Sequence, residues 1–121
     1  MRDHTKLRAF ELADEVVISV YSLTALFPKE EVYGLVSQIR RAAVSVPSNI
    51  VEGCTRDSQA DYLRFLHIAY GSLKESHYQL NLSIRLGFLD KHDFYLVEPK
   101  IIETEKVLNG LLRSIRSSIK S

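Results

Sequence analysis

Metal or nucleophilic chemistry in this chain would have to start from His4, His67, His77, His92 and the lone Cys54. These side chains ligate metals or become nucleophiles most readily near neutral pH. None of the histidines has a second His or a Cys four residues away, the spacing that puts two ligands on one helix face. A di-iron bundle needs Glu-x-x-His on two helices. No glutamate here has a histidine three residues later. Glu75 and His77 are two apart, which turns them to different faces of a helix. His67 and His77 therefore read as helix-face or interface residues. A thiol near a helix N-terminus with a cation beside it can be activated. Cys54 precedes Thr55-Arg56, but no local motif supplies a His or Asn partner, so it reads as structural. The serines lack a nucleophile-elbow sequence and the glycines form no phosphate loop. Tyr62, Phe65, Tyr70 and Tyr78 could stack on bases, yet at helical spacing they read as core or interface. The expectation is a protein with no catalytic residue, no metal and no cofactor, hence not an enzyme.

Cations offer a second kind of chemistry, the binding of phosphate backbones. Net charge is only +1, from 16 Lys+Arg against 15 Asp+Glu, so the balance alone neither favours nor excludes nucleic acid. Distribution says more. No acid follows Glu105, while Lys106, Arg113, Arg116 and Lys120 do. If the chain folds as an antiparallel bundle, segments 1–16, 41–68 and 106–121 share one end. That end is net basic and the other net acidic. The tail cations also complement a helix C-terminus, which is the structural explanation for them. Repeated around a symmetric assembly, they would form a basic ring. The candidate backbone-binding residues are Arg40 and Arg41 in the second helix, with Arg56, Arg64, Arg113, Arg116 and Lys120 at the basic end.

The elements that must position these residues are all helical. Gly (five) and Pro (three) are scarce, and β-type alternation is absent. A first helix runs from about Lys6 to Phe27, stopped by Pro28. Its Phe10, Ala13, Val17, Val20, Thr24 and Phe27 recur every three or four residues. A second spans about Val32 to Glu52, with Gly53 as its C′ residue. A third starts at the N-cap Ser58, with Asp61 three residues on, and ends at Leu86 before Gly87. A fourth follows the N-cap Asp90; Pro99 either bends it or delays its start. Four helices with short loops predict an all-α, up-down-up-down antiparallel four-helix bundle, one domain over 1–121.

The second helix is unusually bare. Between Val32 and Thr55 the only charged residues are Arg40, Arg41 and Glu52. The third is apolar on more than one face. A helix apolar nearly all round must be covered on more than one side. That predicts self-association through helices two and three, with Val36, Val44, Pro47, Val51, Phe65 and Tyr70 as candidate interface residues. Pro47 removes one backbone donor and frees the Ala43 carbonyl, predicting a kink. Ser45, Ser48 and Asn49 are placed to satisfy the local backbone.

The run from Tyr33 to Gly53, YGLVSQIRRAAVSVPSNIVEG, followed by DYLRFLHIAYGSLKE and IRLGFLD, closely resembles the 23S rRNA-intervening-sequence proteins. The matching positions are Tyr33, Gly34, Gln38, Arg40, Arg41, Ala42, Pro47, Asn49, Glu52, Gly53, Phe65, Gly71, Ser72 and Glu75. Where the family often reads Glu-Leu-Glu-Thr, this chain has Glu75-Ser76-His77-Tyr78, and Pro99 is also unusual. The resemblance implies a four-helix bundle assembling into a homopentamer around a channel, with no enzymatic activity. A related group, the accessory variability proteins of diversity-generating retroelements, works with a reverse transcriptase and nucleic acid.

The partners expected are therefore the chain itself, RNA or DNA, and a protein such as a reverse transcriptase. The alternative is a scaffold that docks a protein without nucleic acid. One cysteine excludes an intrachain disulfide, and MRDHTKLRAFELADE lacks the apolar stretch of a signal peptide. No apolar run reaches the roughly 20 residues of a membrane span. A cytoplasmic setting is expected.

Overall fold

Each helix boundary follows from a local device. Ser58, in extended backbone, accepts the Asp61 N–H on its Oγ at 3.0 Å and starts a helix that runs to Arg85. Asp90 Oδ1 accepts from His92 N at 2.8 Å and opens the last helix. Both are N-caps, satisfying donors that lack an intrahelical partner. Gly87, at φ +84, terminates the third helix in the left-handed conformation glycine tolerates best. Phe88 N then donates back to Ser83 O at 2.9 Å.

This computed structural model describes residues 2–120. It contains α1 (Arg8–Thr24), α2 (Leu35–Cys54), α3 (Gln59–Arg85) and α4 (Lys91–Lys120), with 3₁₀ turns at His4–Lys6 and Lys29–Glu31. There is no strand among the described residues. Each helix packs on its chain neighbours, and α1 also packs on α4, which closes a four-helix ring. The core draws Leu12, Ile39, Ile50, Leu66, Leu80 and Ile101 from all four helices. Buried hydroxyls turn back on their own helices. Ser83 Oγ donates to Gln79 O at 2.7 Å and Thr104 Oγ1 to Lys100 O at 2.7 Å, so neither is left unpaired in the core.

Three boundaries differ from the sequence expectation. First, α1 stops at Thr24 rather than Phe27. The chain tightens there, with Phe27 N donating to Thr24 O at 3.1 Å, and this tucks Phe27 into the core. Second, α2 starts at Leu35 rather than Val32, because the 3₁₀ turn occupies Lys29–Glu31. Third, Gly53 lies inside α2 rather than after it. It is where α2 and α3 touch: a Cβ built there would lie 3.0 Å from Phe65 Cβ and 3.2 Å from Tyr62 Cδ1. α4 begins directly after Asp90, as expected, so of the two readings of Pro99 the one in which it delays the helix start does not hold.

The bareness of α2 is mostly absorbed by its own bundle. Ala42, Ala43, Val46, Pro47 and Ile50 are all buried within the single chain. Small residues let α2 lie close on α3, the most extensive helix pair. Of its large apolar residues only Val44 is exposed, at 39%. Other exposed apolar residues are Ile18 on α1, Leu26 and Tyr33 in the first connection, Ile68 and Tyr78 on α3, and Leu96 on α4. Pro47 does not interrupt α2. Near it, Asn49 Nδ2 donates to Ser45 O at 2.8 Å and meets Ser45 Oγ at 2.9 Å.

Candidate functional site

The antiparallel ring brings the end of α2, the start of α3 and the end of α4 to one end of the bundle. Arg116 Nη2 lies 3.2 Å from His67 Nε2, which links α4 to α3 there. Arg113, Arg116 and Lys120 are exposed. Among the described residues, Arg113 and Lys120 have no carboxylate partner, whereas Arg8, Arg64 and Lys100 do. Arg56 and Arg64 share this end but are already engaged. Arg56 Nη2 pairs with Glu52 Oε1 at 2.6 Å and Arg64 Nη2 with Asp61 Oδ1 at 3.0 Å. Both guanidiniums also lie over the Phe65 ring, at 4.6 and 4.4 Å from its centroid. Arg2, which sequence reasoning did not single out, stacks on Tyr62 at 4.0 Å, donates to Arg56 O at 2.8 Å and bonds Gln59. It ties the N-terminal segment to this end.

Arg40 and Arg41 are neighbours in sequence and part company in space. Arg40 Nε donates to Thr24 Oγ1 at 2.8 Å and its guanidinium covers the Tyr21 ring at 4.4 Å. It is a brace between α1 and α2, not a free cation. Arg41 is exposed and has no ion-pair partner among the described residues.

Arg41 lines a groove between α2 and α3 of about 520 Å³. Tyr33, Ser37, Gln38, Glu75 and Gln79 line it as well. Ser45 Oγ and Ser72 Oγ, also in its wall, are 2.9 Å apart and satisfy one another. Gln79 is only 7% exposed, and its side-chain amide has no hydrogen-bond partner; its Oε1 is fully enclosed. Leaving such a group unpaired costs about 1–3 kcal/mol. Tyr33, at the rim, is 97% exposed. The sequence marks Tyr33, Gln38, Arg41, Ser72 and Glu75 through the motif they share. It gives no signal for Gln79, whose unpaired state depends on what α2 and α4 fail to offer it.

The candidate interface residues divide. Val36 and Pro47 are buried within the single chain, Val36 keeping only an edge at the surface. Val51, Phe65 and Tyr70 are half-buried, and Phe65 is roofed by its two arginines. Val44 remains accessible. It lines a shallow groove with Tyr21, Val32 and the edge of Val36.

Cys54 is enclosed at the C-terminal end of α2, and burial pushes its thiol above its ordinary pKa of 9.0. It therefore lacks the thiolate character that reactivity needs. Burial likewise pushes the neighbouring Tyr62 hydroxyl up to about 12. His77 Nδ1 lies 2.7 Å from Glu105 Oε2 and its Nε2 lies 3.0 Å from Glu98 Oε2. This ties α3 to α4, as an ion pair when the imidazole is protonated. No group of three His, Cys, Asp or Glu capable of holding a metal occurs among the described residues. No described helix is long and apolar enough to cross a membrane.

The sequence pattern of the 23S rRNA-intervening sequence protein family matches residues 5–110. The fold is similar to the crystal structure of a protein of unknown function from the S23 ribosomal protein family of Bacteroides thetaiotaomicron. The TM-score is 0.79 at 24% identity, over 87% of this chain and 95% of that one. No curated protein matched the chain.

Proposed function

This chain belongs to the 23S rRNA-intervening sequence protein family, and on that premise we propose that it is a non-enzymatic, cytoplasmic, homo-oligomeric accessory protein that binds nucleic-acid backbone. The observation that carries this reading is the cationic end of α4. There, Arg113, Arg116 and Lys120 are exposed without a carboxylate partner among the described residues, while Arg56 and Arg64 are paired with their own acids. Unpaired cations on a rigid helix release counterions when they meet phosphates, the main source of sequence-independent affinity. Assembly multiplies that cluster around an axis, which supplies the field that one +1 chain lacks. Self-association is supported by the exposed apolar set around Tyr21, Val32 and Val44. The pentamer implied by the family resemblance is the assembly we propose.

The test is fluorescence anisotropy with labelled single-stranded RNA and duplex DNA across a salt series. Affinity should fall steeply with salt, and the triple variant R113E/R116E/K120E should bind at least tenfold more weakly with a shallower slope. Salt-independent binding, or none at low salt, refutes the reading. A stoichiometric protein that co-purifies without nucleic acid would favour a protein-docking scaffold instead.

A further inference from the structure

We propose that the groove between α2 and α3 binds an unpaired guanine nucleotide, with Tyr33 under the base, Glu75 and the Gln79 amide on its hydrogen-bonding edge, and Arg41 on its phosphate. This rests on the nucleic-acid reading above and adds a base-reading site to a backbone-binding one.

Three observations point to a ligand. Arg41 and Glu75 carry opposite charges and line the same groove, yet neither forms an ion pair with the other or with any described residue. Other opposite charges brought together across helices do pair, Arg8 with Glu103 at 2.8 Å and Lys100 with Glu15 at 2.9 Å. Next, Gln79 is more than nine-tenths buried and lines the groove with an amide that bonds nothing in the protein. A buried amide without partners is exceptional in native proteins and calls for an explanation. Finally, Tyr33 stands at the rim almost wholly in solvent.

The ligand class follows from what these groups lack. Glu75 accepts only, and a carboxylate takes two parallel N–H donors well. Gln38 can turn either end of its amide to a ligand, whereas Gln79, whose Oε1 is enclosed, presents its Nε2 donor, which a guanine carbonyl can accept from. Arg41 donates only and favours phosphate. An exposed tyrosine ring is a stacking platform for any base. Guanine alone among the common bases sets two adjacent N–H donors next to a carbonyl on one edge. It therefore matches a carboxylate and an amide together. A base can present that edge only when unpaired, as in single-stranded loops. The volume, about 520 Å³, lies within the range of roughly 300–1,000 Å³ for small-molecule sites. Ser45 and Ser72 bond each other and shape the wall without competing for the ligand.

The experiment is isothermal titration calorimetry of the full chain with GMP, AMP and UMP. Folding of every variant is checked by circular dichroism. Wild type should bind GMP at least tenfold more tightly than AMP or UMP. E75Q and Y33A, at exposed positions outside the core, should each weaken GMP binding tenfold or more. Q79L should weaken it similarly while keeping or raising the melting temperature, which a purely structural glutamine would not do. The variant R113E/R116E/K120E should bind GMP as wild type does, so the two sites fail separately. Absence of GMP binding at millimolar nucleotide, equal binding of the three nucleotides, or indifference to E75Q overturns the proposal. Loss of assembly in E75Q or Y33A without GMP binding in wild type would make the groove a subunit contact, and would also overturn it. Salt-steep RNA binding surviving any of these results leaves the basic-end reading intact.

Discussion

His77 sits between two carboxylates of another helix, and its two ring nitrogens are both taken. Partial burial alone would lower its pKa. The hydrogen bonds and charges of Glu105 and Glu98 outweigh that and raise it above 6.5. Lys74 Nζ, 3.6 Å from Glu105 Oε2, and the Phe94 ring complete its surroundings. Because the folded pKa is raised, the stabilisation is fully present below about 6.5, the unfolded value, and is lost as pH rises through the folded one. H77Q should therefore cost on the order of 1–3 kcal/mol at pH 6, shrinking toward pH 9. Denaturant unfolding at several pH values checks this, and a pH-independent difference would refute it. At this scale residue types were legible in the sequence but their partners were not. Arg40 and Arg41 look equivalent in a string; one is spent on Thr24 and Tyr21, the other is free. His77 offered no metal spacing, and its true partners lie 21 and 28 residues away.

Among the elements, caps and stops were legible because they act over three or four residues. Ser58, Asp90 and Gly87 all do what their types suggest. Gly53 does not, because its role is set by the helix opposite. It permits the close crossing of α2 on Phe65 and Tyr62. G53A should thus destabilise by about 1–3 kcal/mol, since the contact is with a Cβ that cannot swing aside. Gly71 is the internal control. It lies within α3 with open space where a Cβ would go, so G71A should stabilise by about 0.5–1 kcal/mol through helix propensity. Thermal or denaturant melts of the two variants should move in opposite directions. A neutral G53A would show that the helices can part at no cost.

For the whole molecule, closing the ring changes where the apolar surplus ends up. The hydrophobic pattern predicts it on α2 and α3. The bundle buries most of α2, while exposed apolar side chains remain on α3, at Ile68 and Tyr78, as well as on α1, the first connection and α4. Val44 is the one exposed large apolar side chain of α2. V44E should leave the fold intact and shift the proposed assembly toward the 13.8 kDa monomer. Light scattering on both proteins checks this; a wild-type monomer at high concentration would refute self-association. By itself the sequence determined the four helices, most of their ends, their order and the family. Those depend on periodicity and capping, which are local. Only the tertiary structure decided which charges are spent and which are free, that Gly53 is a contact rather than a stop, and that Arg41, Glu75 and Gln79 share one groove with their hydrogen bonds unmade. Arg41 belongs to one helix and Glu75 and Gln79 to the next, and only the packing of those helices brings their unmet polar groups together.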